Sequence, residues 1–186
     1  MNQSSIRNEL RLLIGAEQIR ARVAEMGRQI QADYAGRPLR LIAILKGACF
    51  FLSDLARAIG SDVSIDFMGI ASYGRSKSSS GEVKVTKDLD NEIAGLDVLI
   101  VEDIVDTGIT LTYLYQVLQQ RKPHSLRIAT LLDKPSRRLK PVDVAYIGFQ
   151  IPDEFVVGYG LDYAEKYRNL SDICVLVEGP SEETAR

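Results

Sequence analysis

Glu102, Asp103 and Asp106 stand together at the end of an apolar run, and Thr107, Gly108, Ile109 and Thr110 follow at once. Carboxylates so placed can accept hydrogen bonds from sugar hydroxyls, hold a divalent cation or take up a proton. The turn after them offers hydroxyls and backbone N–H groups to an anion. Acid beside an anion cradle is electrostatically awkward, because the carboxylates repel a bare phosphate. A ligand that carries phosphate, hydroxyls and a divalent cation removes the conflict, and a phosphorylated ribose with Mg²⁺ is such a ligand. Taken alone, the carboxylates also read as an acidic strand end before an Asp- or Thr-capped helix.

The elements around this stretch must position it. Val98-Leu99-Ile100-Val101 has the pattern of a strand buried on both faces. Beyond the turn, Leu111, Leu114 and Leu118 recur at helical spacing. The order is therefore strand, acidic and hydroxyl-rich turn, helix. In an open parallel sheet, ligands collect at the carboxyl ends of strands. A helix start adds unpaired N–H groups and a positive dipole end.

Other strand ends also carry charge. A strand over 39–45 meets Lys46-Gly47 and then a helix over 48–59. Lys46-Gly47 can bind an anion, or it is a tight turn with a solvated lysine. No Walker A loop and no G-x-G-x-x-G fingerprint occurs. A strand over 126–132 ends at Asp133-Lys134-Pro135-Ser136, where Lys134 alone reads as a loop lysine. The remaining elements are a helix over 16–34 and strands over 63–71, 82–86, 142–149 and 169–177. Residues 72–81, rich in Ser and Gly, read as a hairpin tip or as a lid over the site. Residues 151–168 crowd aromatics and charges into a Pro- and Gly-broken segment, which suits a binding loop or a patch on the core. Residues 178–186 read as a frayed end.

Composition sets the bounds. A length of 186 residues with 46% hydrophobic content suits one domain, 1–186, with a real core. Net charge is −2, which argues against nucleic acid as a partner. No apolar run approaches the ~20 residues of a membrane span, and Met1-Asn2-Gln3-Ser4-Ser5 does not read as a signal peptide. The default expectation is a cytoplasmic protein. Cys49 and Cys174 sit in apolar runs and read as reduced core residues. His124 is the only histidine, which leaves little room for His-based metal sites or Ser-His-Asp triads.

The central stretch resembles the phosphoribosyl diphosphate (PRPP) signature of type I phosphoribosyltransferases. With Leu45-Lys46-Gly47, Ser72-Tyr73-Gly74, Leu132-Asp133-Lys134-Pro135 and residues 155–163, order and spacing resemble hypoxanthine-guanine phosphoribosyltransferases of the shorter bacterial hypoxanthine type. The resemblance spans roughly 37–177. It implies an α/β fold: a central, mostly parallel sheet flanked by helices, core about 37–148, with a small hood from 1–36 and 149–186. It implies transfer of phosphoribosyl from PRPP to a 6-oxopurine, a homodimer or homotetramer, and Mg²⁺ as cofactor.

Residue by residue, the resemblance makes Asp106 the general base. Glu102 and Asp103 face the ribose hydroxyls and Mg²⁺, and Asp162 faces a second Mg²⁺. Residues 106–110 resemble the cradle of the 5′-phosphate. Lys46, Gly47 and Arg168 resemble the diphosphate site, with a cis peptide in the Lys46-Gly47 loop. Lys134 resembles the donor to the purine's exocyclic oxygen, Phe155 its stacking ring, and Val156 and Asp162 the backbone at its edge. Ser72 and Tyr73 head the lid, whose Gly74-Arg75-Ser76-Lys77 is more basic than the family's short polar turn. Two rivals stay open at this level. One is a PRPP-sensing regulator of the same fold, and the other is an enzyme choosing xanthine or a pyrimidine.

Overall fold

The structure is a computed structural model, and it describes residues 9–72 and 83–177. The order is β1 (Glu9–Ile14), α1 (Ala16–Tyr34), β2 (Leu39–Leu45), α2 (Cys49–Ala58), β3 (Val63–Ser72), β4 (Val83–Lys87), β5 (Asp97–Val105), α3 (Ile109–Gln119), β6 (Ser125–Asp133), β7 (Tyr146–Gln150), β8 (Val156–Val157) and β9 (Ile173–Val177). A short 3-10 turn, Pro135–Arg137, follows β6. The larger sheet has the order β4-β3-β2-β5-β6-β7. It is parallel except at its edge, where β3 and β4 pair antiparallel.

The central strands are apolar on both faces because both faces are covered. Leu41, Ala43, Leu99, Val101, Ala129 and Leu131 join the core that includes α1 and α2. Ile42, Ile44, Val98, Ile100 and Ile128 join a second core under α3. Alternate side chains along a strand point to opposite faces. Each helix therefore has one sheet face to bury its stripe against: Ile19, Val23, Met26 and Ile30 from α1, and Leu111, Leu114 and Leu118 from α3.

A second, smaller sheet has the order β1-β9-β8, all antiparallel. It joins the start of the described chain to its end. No strand was expected over Glu9–Ile14. Two expected strands are shorter than the alternating pattern suggested. The strand expected over 142–149 starts at Tyr146, and the one expected over 169–177 starts at Ile173. Cys49 and Cys174 are free thiols, half-buried rather than in the core. Among the described residues, no helix is long and apolar enough to cross a membrane.

At the amino end of β5, away from the acidic turn, Asp97 is buried. Ser125 Oγ donates to its Oδ1, His124 Nδ1 lies 2.9 Å from the same oxygen, and Arg37 Nη1 lies 3.3 Å from Oδ2. Burial alone would raise its pKa, but the bonds from Ser125 and His124 and the Arg37 charge outweigh that and hold it below the usual carboxylate value. A lowered folded-state pKa stabilises the fold fully above the unfolded value of ~3.9, and the contribution disappears as pH falls through the folded value. Asp97→Asn is therefore expected to cost about 1–3 kcal/mol at neutral pH. Thermal unfolding of both forms from neutral pH downward should show the gap closing only once pH drops below the ordinary carboxylate range. A gap constant with pH would mean the charge contributes nothing.

Candidate active site

β5 carries the first carboxylates to its carboxyl end. Glu102 and Asp103 lie within the strand, and Asp106 begins the turn into α3. Gly108 is the residue before α3, at φ +79°, a conformation glycine adopts without steric cost. A Cβ there would lie 2.6 Å from the Lys140 carbonyl. Leu139 and Lys140 donate their N–H groups to the Thr107 carbonyl at 2.9 and 3.0 Å. The segment after β6 thus clamps the turn. The first N–H groups of α3 have no partner inside the helix, and they face the same end of the sheet as the carboxylates.

Glu102 and Asp103 keep some residue surface, but their carboxyl groups are desolvated. Glu102 Oε2 is buried with no hydrogen-bond partner among the described residues. Burial, and then the neighbouring Asp103 charge, push the Glu102 carboxyl well up. Asp103 is pushed up to about 6, chiefly by burial; hydrogen bonds from the Ile104 and Asp103 N–H groups and the Arg168 charge pull the other way. An acid pair held this way suits a divalent cation, which restores the charge balance both groups lack. Among the described residues, no three metal-ligating side chains gather into a cage. That donor set fits Mg²⁺, which takes one or two carboxylates and completes its shell with water and substrate oxygens.

Residues far apart in sequence converge on Asp103. The peptide between Leu45 and Lys46 is cis, one bond before the Lys46-Gly47 peptide for which the cis form was expected. Gly47 presses against the acid: a Cβ there would sit 1.6 Å from Asp103 Oδ2. The tail packs on the same loop, since a Cβ on Gly160 would lie 2.1 Å from the Gly47 carbonyl. Arg168 Nη1 donates to the Gly160 carbonyl at 2.7 Å, and its Nη2 pairs with Asp162 Oδ1 at 2.8 Å. Lys46 Nζ pairs with Glu165 Oε2 at 2.9 Å. Tyr159, Ala164, Glu165 and Tyr167 all have left-handed φ values. Several non-glycine residues held this way in one segment mark a loop fixed by its surroundings, as ligand-binding loops are.

A second group lies beyond Asp106. The Lys134 N–H donates to the Val105 carbonyl at 2.9 Å, tying the end of β6 to the end of β5. Lys134 is buried, and its Nζ donates to the Glu154 carbonyl at 2.7 Å. Phe155 is more than half exposed and meets Tyr163 edge-on, with ring centres 5.7 Å apart. Val156 is buried and pairs with Val175. Arg138 Nη1 donates to the Asp106 carbonyl at 3.0 Å, and its Nη2 donates to Asp133. Arg137 Nε lies 2.9 Å from Asp106 Oδ1.

Lys46, Gly47, Asp103, Asp162 and Arg168 are thus neighbours, and Asp106 to Thr110 and Lys134 adjoin them. Ser72 ends β3. Tyr73 and the rest of the expected lid lie outside the described residues. Sequence reasoning assigned nothing to Glu165, Arg137 or Arg138. The charged pair after Pro135 was visible in the sequence, but its direction was not.

The phosphoribosyl transferase domain family matches residues 15–164. A hypoxanthine-guanine phosphoribosyltransferase of Mycobacterium avium is 55% identical, over 89% of this chain and 84% of its own. That of Bacillus subtilis is 49% identical, over 89% of this chain and 92% of its own. A hypoxanthine phosphoribosyltransferase crystal structure from Staphylococcus aureus superposes with a TM-score of 0.87 at 48% identity, covering 95% of this chain and 96% of that one. With the acid pair, the clamped helix start and the Lys46-Gly47 loop at the carboxyl end of β5, these likenesses place the chain in the phosphoribosyltransferase family, alongside the hypoxanthine-guanine enzymes.

Proposed function

We propose that the chain is a purine-salvage enzyme that transfers the 5-phosphoribosyl group from PRPP to hypoxanthine, guanine or both, giving the nucleoside monophosphate and diphosphate. One observation carries this reading. The stretches around Lys46-Gly47, Lys134 and Gly160 converge on the carboxyl end of β5 in a chain about half identical to hypoxanthine-guanine phosphoribosyltransferases.

The bond from the anomeric carbon to the diphosphate oxygen breaks, and the oxygen keeps the electron pair. A purine imidazole nitrogen bonds to the same carbon and loses its proton. Asp106 takes that proton. The N–H groups and hydroxyls of Thr107 to Thr110 hold the 5′-phosphate. Lys46, Gly47 and Arg168 receive the diphosphate. Glu102 and Asp103 accept from the ribose hydroxyls. Glu102 and Asp103 would hold one Mg²⁺ at the ribose and Asp162 a second at the diphosphate, where the added positive charge would neutralise and orient the leaving group. Phe155 stacks on the base, with the Val156 and Asp162 backbones at its edge. The β1-β9-β8 sheet and its loops form the hood. A homodimer or homotetramer in the cytoplasm accords with the family.

Lysine only donates hydrogen bonds, so Lys134 favours a 6-oxo group over the 6-amino group of adenine. Lys134→Gln is expected to lower the kcat/KM ratio of hypoxanthine to adenine by about ten-fold or more, since glutamine can also accept. An unchanged ratio would remove this role from Lys134. The decisive experiment offers purified protein, Mg²⁺ and PRPP with hypoxanthine, guanine, xanthine or adenine, and assays each monophosphate. Turnover of the first two supports the reading. No monophosphate from any base would overturn it.

A further inference from the structure

Arg137 sits on the 3-10 turn after β6, and its guanidinium reaches two carboxylates on different parts of the chain. Its Nε lies 2.9 Å from Asp106 Oδ1, and its Nη1 lies 3.4 Å from Asp153 Oδ2. Asp153 Oδ1 in turn lies 3.9 Å from Lys134 Nζ. Alternating charge therefore runs from the end of β5 to the loop before β8, through the groups assigned to the purine. We propose that Arg137 is a gate on the purine site: it holds Asp106 while no base is bound, and an entering 6-oxopurine displaces it. This rests on the reading of Asp106 as the group that faces the base.

Three observations support the gate. First, Arg137 occupies the oxygen that a purine N–H would need. Asp106 Oδ1 is a buried oxygen beside the Arg137 guanidinium and has no aligned hydrogen bond among the described residues, so a better-directed donor gains more there than the arginine loses. Second, the pair is built to open. The side chains of Arg137 and Asp153 are 46% and 50% exposed, so the arginine's outer contact is weak and water can solvate the guanidinium as it swings off Asp106. Third, the adjacent arginine already does the structural work. Arg138 is mostly buried and anchors the Asp106 carbonyl and Asp133, so the turn keeps its shape when Arg137 leaves. Arg137 is thus a positioning residue that competes with substrate.

The test is steady-state kinetics of Arg137→Gln, with hypoxanthine and PRPP varied separately. The KM for hypoxanthine should fall about three- to five-fold, the scale of a weak exposed pair. The KM for PRPP and kcat should hold. Added salt should lower the wild-type hypoxanthine KM by screening the pair, and the variant should lose that dependence. Arg137→Lys should restore the wild-type pattern, and Arg137→Gln made on Asp106→Asn should have little further effect. A hypoxanthine KM that stays or rises in Arg137→Gln, while Asp106→Asn is slow, overturns the gate alone. Unchanged turnover in Asp106→Asn overturns the base reading and the gate with it.

Discussion

Asp106→Asn should lower kcat by about 10²-fold, the low end of what a positioned general base contributes. The low end is expected because the sugar carries much of the developing positive charge, so proton removal is only part of the barrier. Asparagine is nearly isosteric, keeps an oxygen toward Arg137, and leaves the backbone carbonyl that Arg138 anchors untouched. The turn should therefore keep its form and PRPP its affinity. A single-turnover assay with PRPP saturating separates the two effects. A slow chemical step with normal PRPP binding assigns the proton to Asp106. Normal chemistry with lost PRPP binding would make Asp106 part of the phosphate cradle instead.

What the sequence made legible follows from burial. β2, β5 and β6 are the middle strands of the larger sheet, covered on both faces, so their apolar runs could be read directly. α1 and α3 each bury one stripe, so their period was plain. β1 was not legible. It lies at the edge of the small sheet with Leu10 and Leu12 exposed, and its partner β9 is far along the chain. Val142 and Val144 alternate like strand residues, yet they pack as loop residues against the core under α3, and pairing begins only where the Ala145 N–H meets the Ile128 carbonyl at 3.0 Å. Residues 169–172 looked continuous with β9, but they make turns. The Leu170 carbonyl accepts from the Tyr159 N–H at 2.8 Å, and Asp172 Oδ1 accepts from the Ala16 N–H at 2.7 Å.

The candidate site divides the same way. Groups tied to a strand end could be read, because strand and turn patterns fix where they stand. Partners supplied by loops could not. Arg137 and Arg138 are adjacent and chemically identical, yet one reaches the Asp106 carboxylate and the other its carbonyl. Their directions follow the turn, which is held by the Arg137 and Arg138 N–H groups on the Lys134 and Pro135 carbonyls and by the clamp of Leu139 and Lys140 on Thr107. Glu165 meets Lys46 across most of the chain's length through a run of turns with no periodicity to read.

Gly47→Ala should be strongly damaging to PRPP use. Its new methyl would fall 1.6 Å from Asp103 Oδ2 and 2.6 Å from Asp103 Cγ, so both cannot keep their places. The loop cannot retreat freely, because Gly160 packs against the Gly47 carbonyl from the other side. Nor can the carboxylate, whose Oδ1 accepts from the Ile104 N–H at 2.8 Å inside β5. Either movement separates the loop proposed to receive diphosphate from the acid proposed to face the ribose. Misplacement by about 1 Å at a reacting centre can cost ~10²-fold, so kcat/KM for PRPP should fall by at least that much. Overpacking should also cost about 1–3 kcal/mol of stability, which a two-state unfolding curve would register without loss of the fold. Near-normal PRPP kinetics in a folded Gly47→Ala protein would show that this contact does not position the reacting groups.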